Sequence, residues 1–263
     1  MRSVVLGVVA CGLAAPMAGA QLVLTSDQRA MIVEAAGSIQ TAFPSPAYAP
    51  FDRTISRDVP SGGGNGKATS QQTSTVTAAA MIASGSSSAQ SIAGAGNCVL
   101  SQAANDFRIT FRVTVPVQYA FDGAVDGAQF RLAETVSGAV HLVQASPGNP
   151  TPYAFTGILK PGRNYTVLAQ SSQLVNACNG ASISIAGSYS LNASYLALAP
   201  CPADLNFDRL VDDADFSLFA PAYNELLCPG APLPCDADLN ADGFVDDADF
   251  AIFAAAYNEL LCP

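Results

Sequence analysis

The chain reads Phe-Arg-Ile-Thr-Phe-Arg-Val-Thr-Val from Phe107 to Val115. Its bulky apolar side chains occupy every second position, and arginines and threonines fill the positions between them. A period of two places the two sets on opposite faces of a strand. One face is then buried and the other wet, as in an antiparallel sheet that covers a core on one side. This stretch predicts a β fold.

Shorter segments of the same kind surround it. Pro116 bends or ends the first strand, and Val117 to Phe121 resumes the alternation. Further strands are predicted at Thr73–Ala83, Ala128–Glu134, Ala139–Gln144, Tyr153–Ile158, Tyr165–Ala169 and Ser182–Ala197. Turns are predicted at Asp122-Gly123, Asp126-Gly127, Pro147-Gly148 and Pro161-Gly162. Many short strands at this spacing predict an antiparallel β-sandwich or jelly-roll-like domain over residues 73–199.

The segments before the sandwich are predicted to be different. Residues 1–20 have an early arginine, an apolar run and a small-residue cleavage site, which is typical of an export signal. A lipoprotein reading, with Cys11 as the lipidated residue, is the alternative. Residues 21–72 are predicted to hold a helix from Thr25 to Gly37 and then a flexible loop rich in Pro, Gly and Ser. No stretch is long and apolar enough to span a membrane.

The last 63 residues contain the same motif twice, 34 positions apart. Oxygen-bearing side chains recur at positions 1, 3, 5, 9 and 12 of each copy, and an apolar helical pattern follows at once. Alternate residues of a tight loop can direct oxygen ligands toward one hard cation, which is the layout of a calcium loop. The predicted ligands of the first site are Asp204, Asn206, Asp208, the Leu210 carbonyl, Asp212 and Asp215. Those of the second are Asp238, Asn240, Asp242, the Phe244 carbonyl, Asp246 and Asp249.

The two loops differ at position 6, which is Arg209 in the first and Gly243 in the second. A residue other than glycine costs about 1–2 kcal/mol in the left-handed conformation that this position adopts. The first site should therefore bind Ca²⁺ more weakly. Val211 and Val245, at position 8, are expected to pack inward between the paired loops.

Each loop is followed by apolar residues at spacings of 3, 4 and 3, which define one helix face. They are Phe216, Phe219, Tyr223 and Leu226, then Phe250, Phe253, Tyr257 and Leu260. Pro221 is expected to kink the first helix, whereas Ala255 leaves the second straight. Proline precedes each repeat at Pro200 and Pro234, so the units are loop-then-helix.

Residues 200–263, with repeats 201–228 and 235–262, resemble a dockerin type I module, which has two loop-helix calcium repeats with Asp at position 12. The resemblance implies two Ca²⁺ ions. In that family, residues at loop positions 10 and 11 contribute to recognising a cohesin partner, and here these are Asp213-Ala214 and Asp247-Ala248. The basic residue often found at helix positions 17 and 18 is missing. The alternative for so many aspartates is a solvated acidic tail.

Without Cys11, six cysteines remain, and an even number in an exported chain favours disulfides. Cys98 and Cys178 are predicted to pair and close a loop of about eighty residues. A helix of fifteen residues is about 22 Å long, so pairing within one repeat is strained. If the repeats pack antiparallel, Cys228–Cys235 and Cys201–Cys262 are the favoured pairs.

The charge distribution excludes some partners. From residue 201 onward there are 13 acidic residues and one basic residue, a net charge of −12. Residues 21–200 carry 9 basic and 8 acidic residues, a net charge of +1. Neither part has the basic surface that nucleic-acid binding needs.

Evidence for catalysis in the sequence is weak. The single histidine, His141, lies in a predicted strand and is expected to face solvent or to pack. Few carboxylates fall in the clear strands and turns of the sandwich. Asp122, Asp126 and Glu134 are the candidates for a minor metal or sugar site.

The sequence thus predicts a secreted, extracellular or periplasmic, non-enzymatic protein. Its β-sandwich has an unknown ligand, and its calcium-binding module serves attachment or assembly. The partner would be a cohesin-like protein or a cell-surface component, with polysaccharide as a further candidate. One alternative is a carbohydrate-active accessory module or weak glycoside hydrolase in a polysaccharide-degrading complex. Another is a tail that only stabilises the chain.

Overall fold

A computed structural model describes residues 22–198, 201–226, 235–240 and 242–259. These residues form strands β1 to β13 and helices α1 and α2. The strands are β1 Leu22–Asp27, β2 Ala30–Ala35, β3 Ser38–Ala42, β4 Phe51–Ser61, β5 Gly64–Val76, β6 Ala80–Ile92, β7 Cys98–Val113, β8 Val117–Asp126, β9 Ala128–Glu134, β10 Gly138–Gln144, β11 Thr151–Leu159, β12 Asn164–Cys178 and β13 Ser182–Ala197. The helices are α1 Asp213–Glu225 and α2 Asp247–Glu259.

The strands make two antiparallel sheets that pack face to face, so the predicted β-sandwich followed by a small helical part is confirmed. The seven-stranded sheet has the order β10-β9-β12-β7-β2-β3, and β1 also pairs with β7. The six-stranded sheet has the order β11-β8-β13-β6-β5-β4. Strands β6 and β13 of one sheet lie against β7 and β12 of the other.

Strand β7 lies inside the larger sheet, between β12 and β2, and its side chains alternate between the two faces as predicted. Phe107, Ile109, Phe111 and Val113 are completely buried. Arg108 and Thr110 point to the other face and remain partly exposed. The strand begins earlier than predicted, at Cys98, and Cys98 is the register partner of Cys178 on β12. These two cysteines form the predicted disulfide, with a Cα–Cα distance of 4.1 Å.

The two halves of the sandwich interior differ in chemistry. One half is filled by aromatic and branched side chains; Phe121, for example, contacts Phe130 and Tyr195 at ring-centroid distances of 5.5 and 5.8 Å. The other half holds buried serines, glutamines and an asparagine. Ser87 and Ser171 join the two sheets through a 2.6 Å hydrogen bond. Buried polar groups of this kind need such partners to offset their desolvation.

The helix predicted from Thr25 to Gly37 is wrong, because this segment forms β1, β2 and the turn into β3. Met31, Ile32, Ala35 and Ala36 fit one face of a helix, but Met31, Val33 and Ala35 also alternate as in a strand, and these last three are buried in β2. Pairing of β2 with β7 satisfies the backbone groups and overrides the local helical pattern.

The flexible loop predicted within residues 21–72 is also wrong. Strands β4 and β5 form a long hairpin whose turn contains Gly62 and Gly63, both with positive φ. The strand predicted at Thr73–Ala83 is divided by a turn, so that β5 ends at Val76 and β6 begins at Ala80. The sandwich therefore begins at Leu22 and not at residue 73.

The turn predicted at Asp122-Gly123 is also wrong, because both residues lie inside β8. Glycine is required at position 123 because the backbone of β13 lies very close to it, and not because the chain turns there. A Cβ atom at this position would come within 2.1 Å of the Ser190 carbonyl oxygen on β13. The strands predicted at Ala128–Glu134 and Ser182–Ala197 are confirmed with the same bounds.

Within the described residues, no helix is both long and apolar enough to cross a lipid bilayer. The export signal predicted for residues 1–20 lies outside the described residues.

Candidate metal centre

The first acidic loop brings three carboxylates together at the start of α1. One oxygen each from Asp204, Asp208 and Asp215 lies within 4.8 Å of the other two. Asp204 and Asp215 are buried, at 6% and 0% exposure, while Asp208 is open to solvent. Converging oxygens with one open side form an arrangement that can hold a metal ion.

Backbone N–H groups orient these carboxylates. Asp215 Oδ1 accepts hydrogen bonds from the N–H groups of Leu205 (2.8 Å) and Asn206 (2.9 Å). Asp204 accepts from the N–H groups of Asp208 (3.0 Å) and Arg209 (2.9 Å). The loop is thus wound around its first and last acidic residues.

The second loop repeats this network 34 residues later. Asp249 Oδ1 accepts from the N–H groups of Leu239 (2.7 Å) and Asn240 (3.1 Å). Asp238 accepts from the N–H groups of Asp242 (3.1 Å) and Gly243 (2.9 Å). Asp249 is fully buried, like its counterpart Asp215. The two loops therefore share one backbone design.

The remaining predicted ligands lie in the same loops but have structural partners as well. Asn206 accepts from the Asp208 N–H at 2.7 Å and donates to Asp208 Oδ2 at 2.9 Å. Asp212 caps α1 by accepting from the Ala214 N–H at 2.8 Å. Asn240 and Asp246 make the equivalent contacts in the second loop. Metal ligation by these groups, and by the Leu210 and Phe244 carbonyls, stays a prediction.

The electrostatics of the first loop favour a cation. Burial raises the pKa of Asp204, and the neighbouring charge of Asp215 raises it further, while hydrogen bonds from backbone N–H groups act in the opposite direction. Two buried carboxylates beside each other are costly unless a proton or a positive ion compensates them.

Position 6 has the left-handed conformation in both loops. The φ angle is 75° at Arg209 and 95° at Gly243. Only the first loop therefore carries the strain of a side chain at this position, as the sequence predicts. Pro221 lies inside α1, yet the helix continues to Glu225.

The two repeats pack against each other in a reciprocal way. Val211 and Val245 are completely buried, as predicted, and Phe219 stacks on Phe253 at a centroid distance of 5.0 Å. The sequence predicts Tyr223 and Tyr257 only as members of an apolar stripe. Their hydroxyl groups instead reach across to Asp247 and Asp213, respectively. Sequence reasoning missed these bonds because they depend on packing between repeats.

The predicted apolar helix faces are buried only in the middle of each helix. Phe219 and Phe253 are buried, whereas Phe216 and Phe250 are 44% and 41% exposed and Leu226 is exposed as well. Leu260 lies outside the described residues. Cys201 and Cys235 are disulfide-bonded. Because Cys228 and Cys262 also lie outside the described residues, the Cys228–Cys235 and Cys201–Cys262 pairs stay predictions.

The two C-terminal repeats contact one end of the sandwich. Lys160 Nζ lies 4.6 Å from the centre of the Phe207 ring, which is at position 4 of the first loop. Arg163 lies 3.8 Å from Asp236 and 3.4 Å from Glu134. These contacts connect the β11–β12 turn to both repeats.

The candidate residues of the sandwich do not form a site together. Asp122 accepts from Asn192, Asp126 accepts from the backbone of residues 148 and 149, and Glu134 binds Ser137 and Arg163. In the part of the chain that the structure describes, Asp204, Asp208 and Asp215 are the carboxylates grouped for a metal.

His141 packs, which is one of the two environments expected for it. Its Nε2 is 2.7 Å from the Tyr119 hydroxyl, and its ring stacks on Phe155 at 4.1 Å. Burial lowers the pKa of His141.

No family model and no curated protein matches this chain. A solved structure that matches is the GH31 alpha-xylosidase from Xanthomonas citri, with 9% sequence identity and a TM-score of 0.21. The match covers 66% of this chain and 32% of the xylosidase chain, so this chain spans about a third of that protein's length. A similarity at this level says nothing about fold or function.

Proposed function

We propose that this protein is exported and that its C-terminal dockerin-like module, folded around two Ca²⁺ ions, attaches the β-sandwich to a partner outside the cytoplasm. The observation that carries the proposal is the convergence of oxygens from Asp204, Asp208 and Asp215 within 4.8 Å. The same hydrogen-bond network in the second loop supports two sites of one design.

Calcium is the metal that this donor set favours. The predicted ligands are carboxylate, amide and carbonyl oxygens, and Ca²⁺ takes six to eight such ligands in flexible loops. Sulfur and imidazole, which softer metals prefer, do not occur among them. Ca²⁺ would neutralise the buried carboxylates of each loop, so metal binding and folding of the module are expected to be coupled.

Attachment is proposed because the module presents exposed apolar surface near its calcium loops. Phe216, Phe250 and Phe244 are 41–56% exposed. The cohesin-recognition positions of the dockerin family hold Asp213 and Asp247 here, and both accept hydrogen bonds from tyrosines of the other repeat. This departure favours a cell-surface component, or a cohesin-like protein adapted to this surface.

Export and the absence of catalysis belong to the same proposal. The signal-like residues 1–20 and the Cys98–Cys178 disulfide fit an oxidising compartment. The one histidine stacks in the edge of the sandwich, and a nucleophile activated by it would have to compete with Tyr119.

Calorimetric titration of the metal-free mature chain, residues 21–263, with Ca²⁺ tests the metal sites. We expect two sites, the first weaker because of Arg209. Asp204→Ala and Asp238→Ala should each remove one site, while Asp52→Ala on the sandwich should remove neither. A single site, or no heat of binding, would refute the two-ion proposal.

Attachment needs a separate test. The mature chain is incubated with a cell-envelope fraction, with Ca²⁺ or with a chelator, and bound protein is measured. We expect retention that requires Ca²⁺ and is lost in the Asp204→Ala, Asp238→Ala double variant. Equal retention under both conditions would contradict attachment through the module.

A further inference from the structure

A groove on the sandwich, remote in sequence from the metal loops, has the chemistry of a binding site. Its volume is about 590 Å³, within the roughly 300–1,000 Å³ range of ligand pockets. Its lining contains four glutamines and two serines, and no charged side chain. We call this surface, with Gln129, Gln144, Gln170, Ser172 and Gln173, the amide groove.

Three of the glutamines form a row across neighbouring strands. Gln129 on β9 is the register partner of both Gln144 on β10 and Gln170 on β12. Register partners point to the same face, and adjacent strands are about 4.8 Å apart. The row therefore places one amide on each of the three strands β10, β9 and β12, on the outer face of the seven-stranded sheet.

Hydrogen bonds orient the amides and leave part of their capacity free. Gln129 Nε2 donates to Gln170 Oε1 at 2.8 Å, which uses one atom of each amide and leaves Gln129 Oε1 and Gln170 Nε2 for a ligand. Gln173 lies on the opposite face of β12, toward the interior of the sandwich, where it is 2% exposed and donates to the Gly127 carbonyl at 2.7 Å. Because Gln129 and Gln170 are already hydrogen-bonded to each other, their side chains are ordered before any ligand binds.

Asp126 holds one wall of the groove in place. Its Oδ1 accepts hydrogen bonds from the N–H groups of Gly148 (2.7 Å) and Asn149 (3.2 Å). The Asn149 N–H is also 3.2 Å from the Ser146 carbonyl, which closes the turn that carries Ser146 and Pro147. Asp126 thus holds this turn in position. Its negative charge is directed at the two N–H groups of the turn and not into the groove.

The donor and acceptor pattern selects the ligand. A charged ligand would find no counter-ion in the lining, and an apolar ligand would leave the amides without partners, which is costly. Primary amides and hydroxyl groups both donate and accept hydrogen bonds, as do the hydroxyl groups of a sugar. We propose that the amide groove binds a neutral oligosaccharide, with its rings lying along the glutamine row. The strand spacing is close to the length of one pyranose ring, which favours a chain of rings over a peptide strand.

Direct binding measurements on the mature chain test this proposal. The probes are hexasaccharides of the cello-, xylo-, malto- and manno- series, with polygalacturonate as an anionic comparison and an unstructured neutral peptide as a second one. We expect one or more neutral series to bind, with and without a chelator, because the groove is independent of the metal loops. Failure of calcium-dependent attachment would leave this result unchanged.

Leucine substitutions localise the site, because leucine keeps the approximate size of glutamine without its polar groups. Gln129→Leu and Gln170→Leu should each raise the Kd at least tenfold, and the exposed Gln144→Leu should do so if either of the others fails to fold. Gln118→Leu, at an exposed position of the other sheet, is the matched control and should bind like the wild type. No neutral sugar bound, preference for polygalacturonate or for the peptide, or equal affinity of all variants would overturn the proposal.

Discussion

The Tyr223 hydroxyl donates a 2.6 Å hydrogen bond to Asp247 Oδ1 across the boundary between the two repeats. The reciprocal bond from Tyr257 to Asp213 has the same length. In each case the tyrosine near the end of one helix reaches the first residue of the other. Such reciprocity is what an approximate twofold axis between the repeats produces. The two bonds join the end of each helix to the acidic loop of the other repeat.

Removing these bonds should loosen the module. Tyr223→Phe and Tyr257→Phe should each lower the midpoint of thermal unfolding of the module, and the double variant should lower it further. Circular dichroism at 222 nm in the presence of Ca²⁺ follows the helices selectively, because the sandwich is β. Tyr48→Phe is a hydroxyl deletion in the sandwich and serves as the control. A double variant that melts like the wild type would mean that the two bonds contribute nothing.

Arg209 and Gly243 provide a matched pair for testing backbone strain in the metal loops. Arg209→Gly should tighten Ca²⁺ binding at the first site by about tenfold, since relief of about 1–2 kcal/mol corresponds to roughly that factor. Gly243→Ala should weaken the second site by a similar factor. Calorimetric titration measures both effects.

The Arg209→Ala variant separates strain from charge. It removes the positive charge but keeps a side chain at φ 75°, so it should not reproduce the tighter binding of Arg209→Gly beyond the modest gain from removing a like charge. Equal tightening in both variants would show that charge, not backbone conformation, limits the first site.

The parts of this structure that sequence predicts are those governed by local spacing. The alternation from Phe107 to Val113 identifies β7, and the spacing of Asp204, Asp208 and Asp215 predicts that their carboxylates converge in one loop, because both patterns depend on neighbours in the chain. Strand β5 lacks such a pattern. Its buried side chains include Ser70, Gln72 and Ser74, which are polar and give no hydrophobic periodicity.

Features that depend on distant segments escape the same reasoning. The row of Gln144, Gln129 and Gln170 exists only through the register of three strands. The segment around Met31 fits a helix and a strand about equally, and only its pairing with β7 decides between them. Propensity is a weak guide wherever tertiary contacts carry the stabilisation.

The pKa of His141 can be measured without overlap, because the chain contains a single histidine. Burial lowers the pKa of His141 below its ordinary value of 6.5. Below pH 6.5 the unfolded chain therefore binds a proton that the folded chain resists, so His141 reduces stability as pH falls, until the folded pKa is reached. The NMR titration of its ring protons should give a lower midpoint in the folded protein than in urea. A midpoint above 6.5 in the folded state would contradict the burial described here.

Arg29 and Asp27 form a buried ion pair in which both side chains are at most 1% exposed. Arg29 contacts Asp27 at 2.6 and 2.9 Å and also donates to Ser74 and the Ala49 carbonyl. Asp27 additionally accepts from the Tyr48 N–H at 2.6 Å. The ion pair therefore links the segment around Tyr48 to β1 of one sheet, through Asp27, and to β5 of the other sheet, through Ser74.

Loss of Arg29 should be costly because it leaves a buried carboxylate without a partner. Arg29→Met is expected to destabilise the chain by about 3–5 kcal/mol in urea unfolding at pH 7. Arg108→Met is the control, because Arg108 makes a partly exposed contact of 3.6 Å with Asp106 and should cost at most about 1 kcal/mol.

The free energy of unfolding measured between pH 7 and pH 3 then distinguishes an ion pair from a purely packing role of Arg29. Burial by itself raises the pKa of Asp27, but the hydrogen bonds from Arg29 and Tyr48 outweigh it, and the net shift is downward. In the wild type this contribution is present above the unfolded pKa of about 3.9 and is lost as pH falls through the lower folded value. In Arg29→Met the pKa of Asp27 should rise, so acid should narrow the stability difference between variant and wild type. A difference that stays constant from pH 7 to pH 3 would mean that Arg29 acts through its packing and not through its charge.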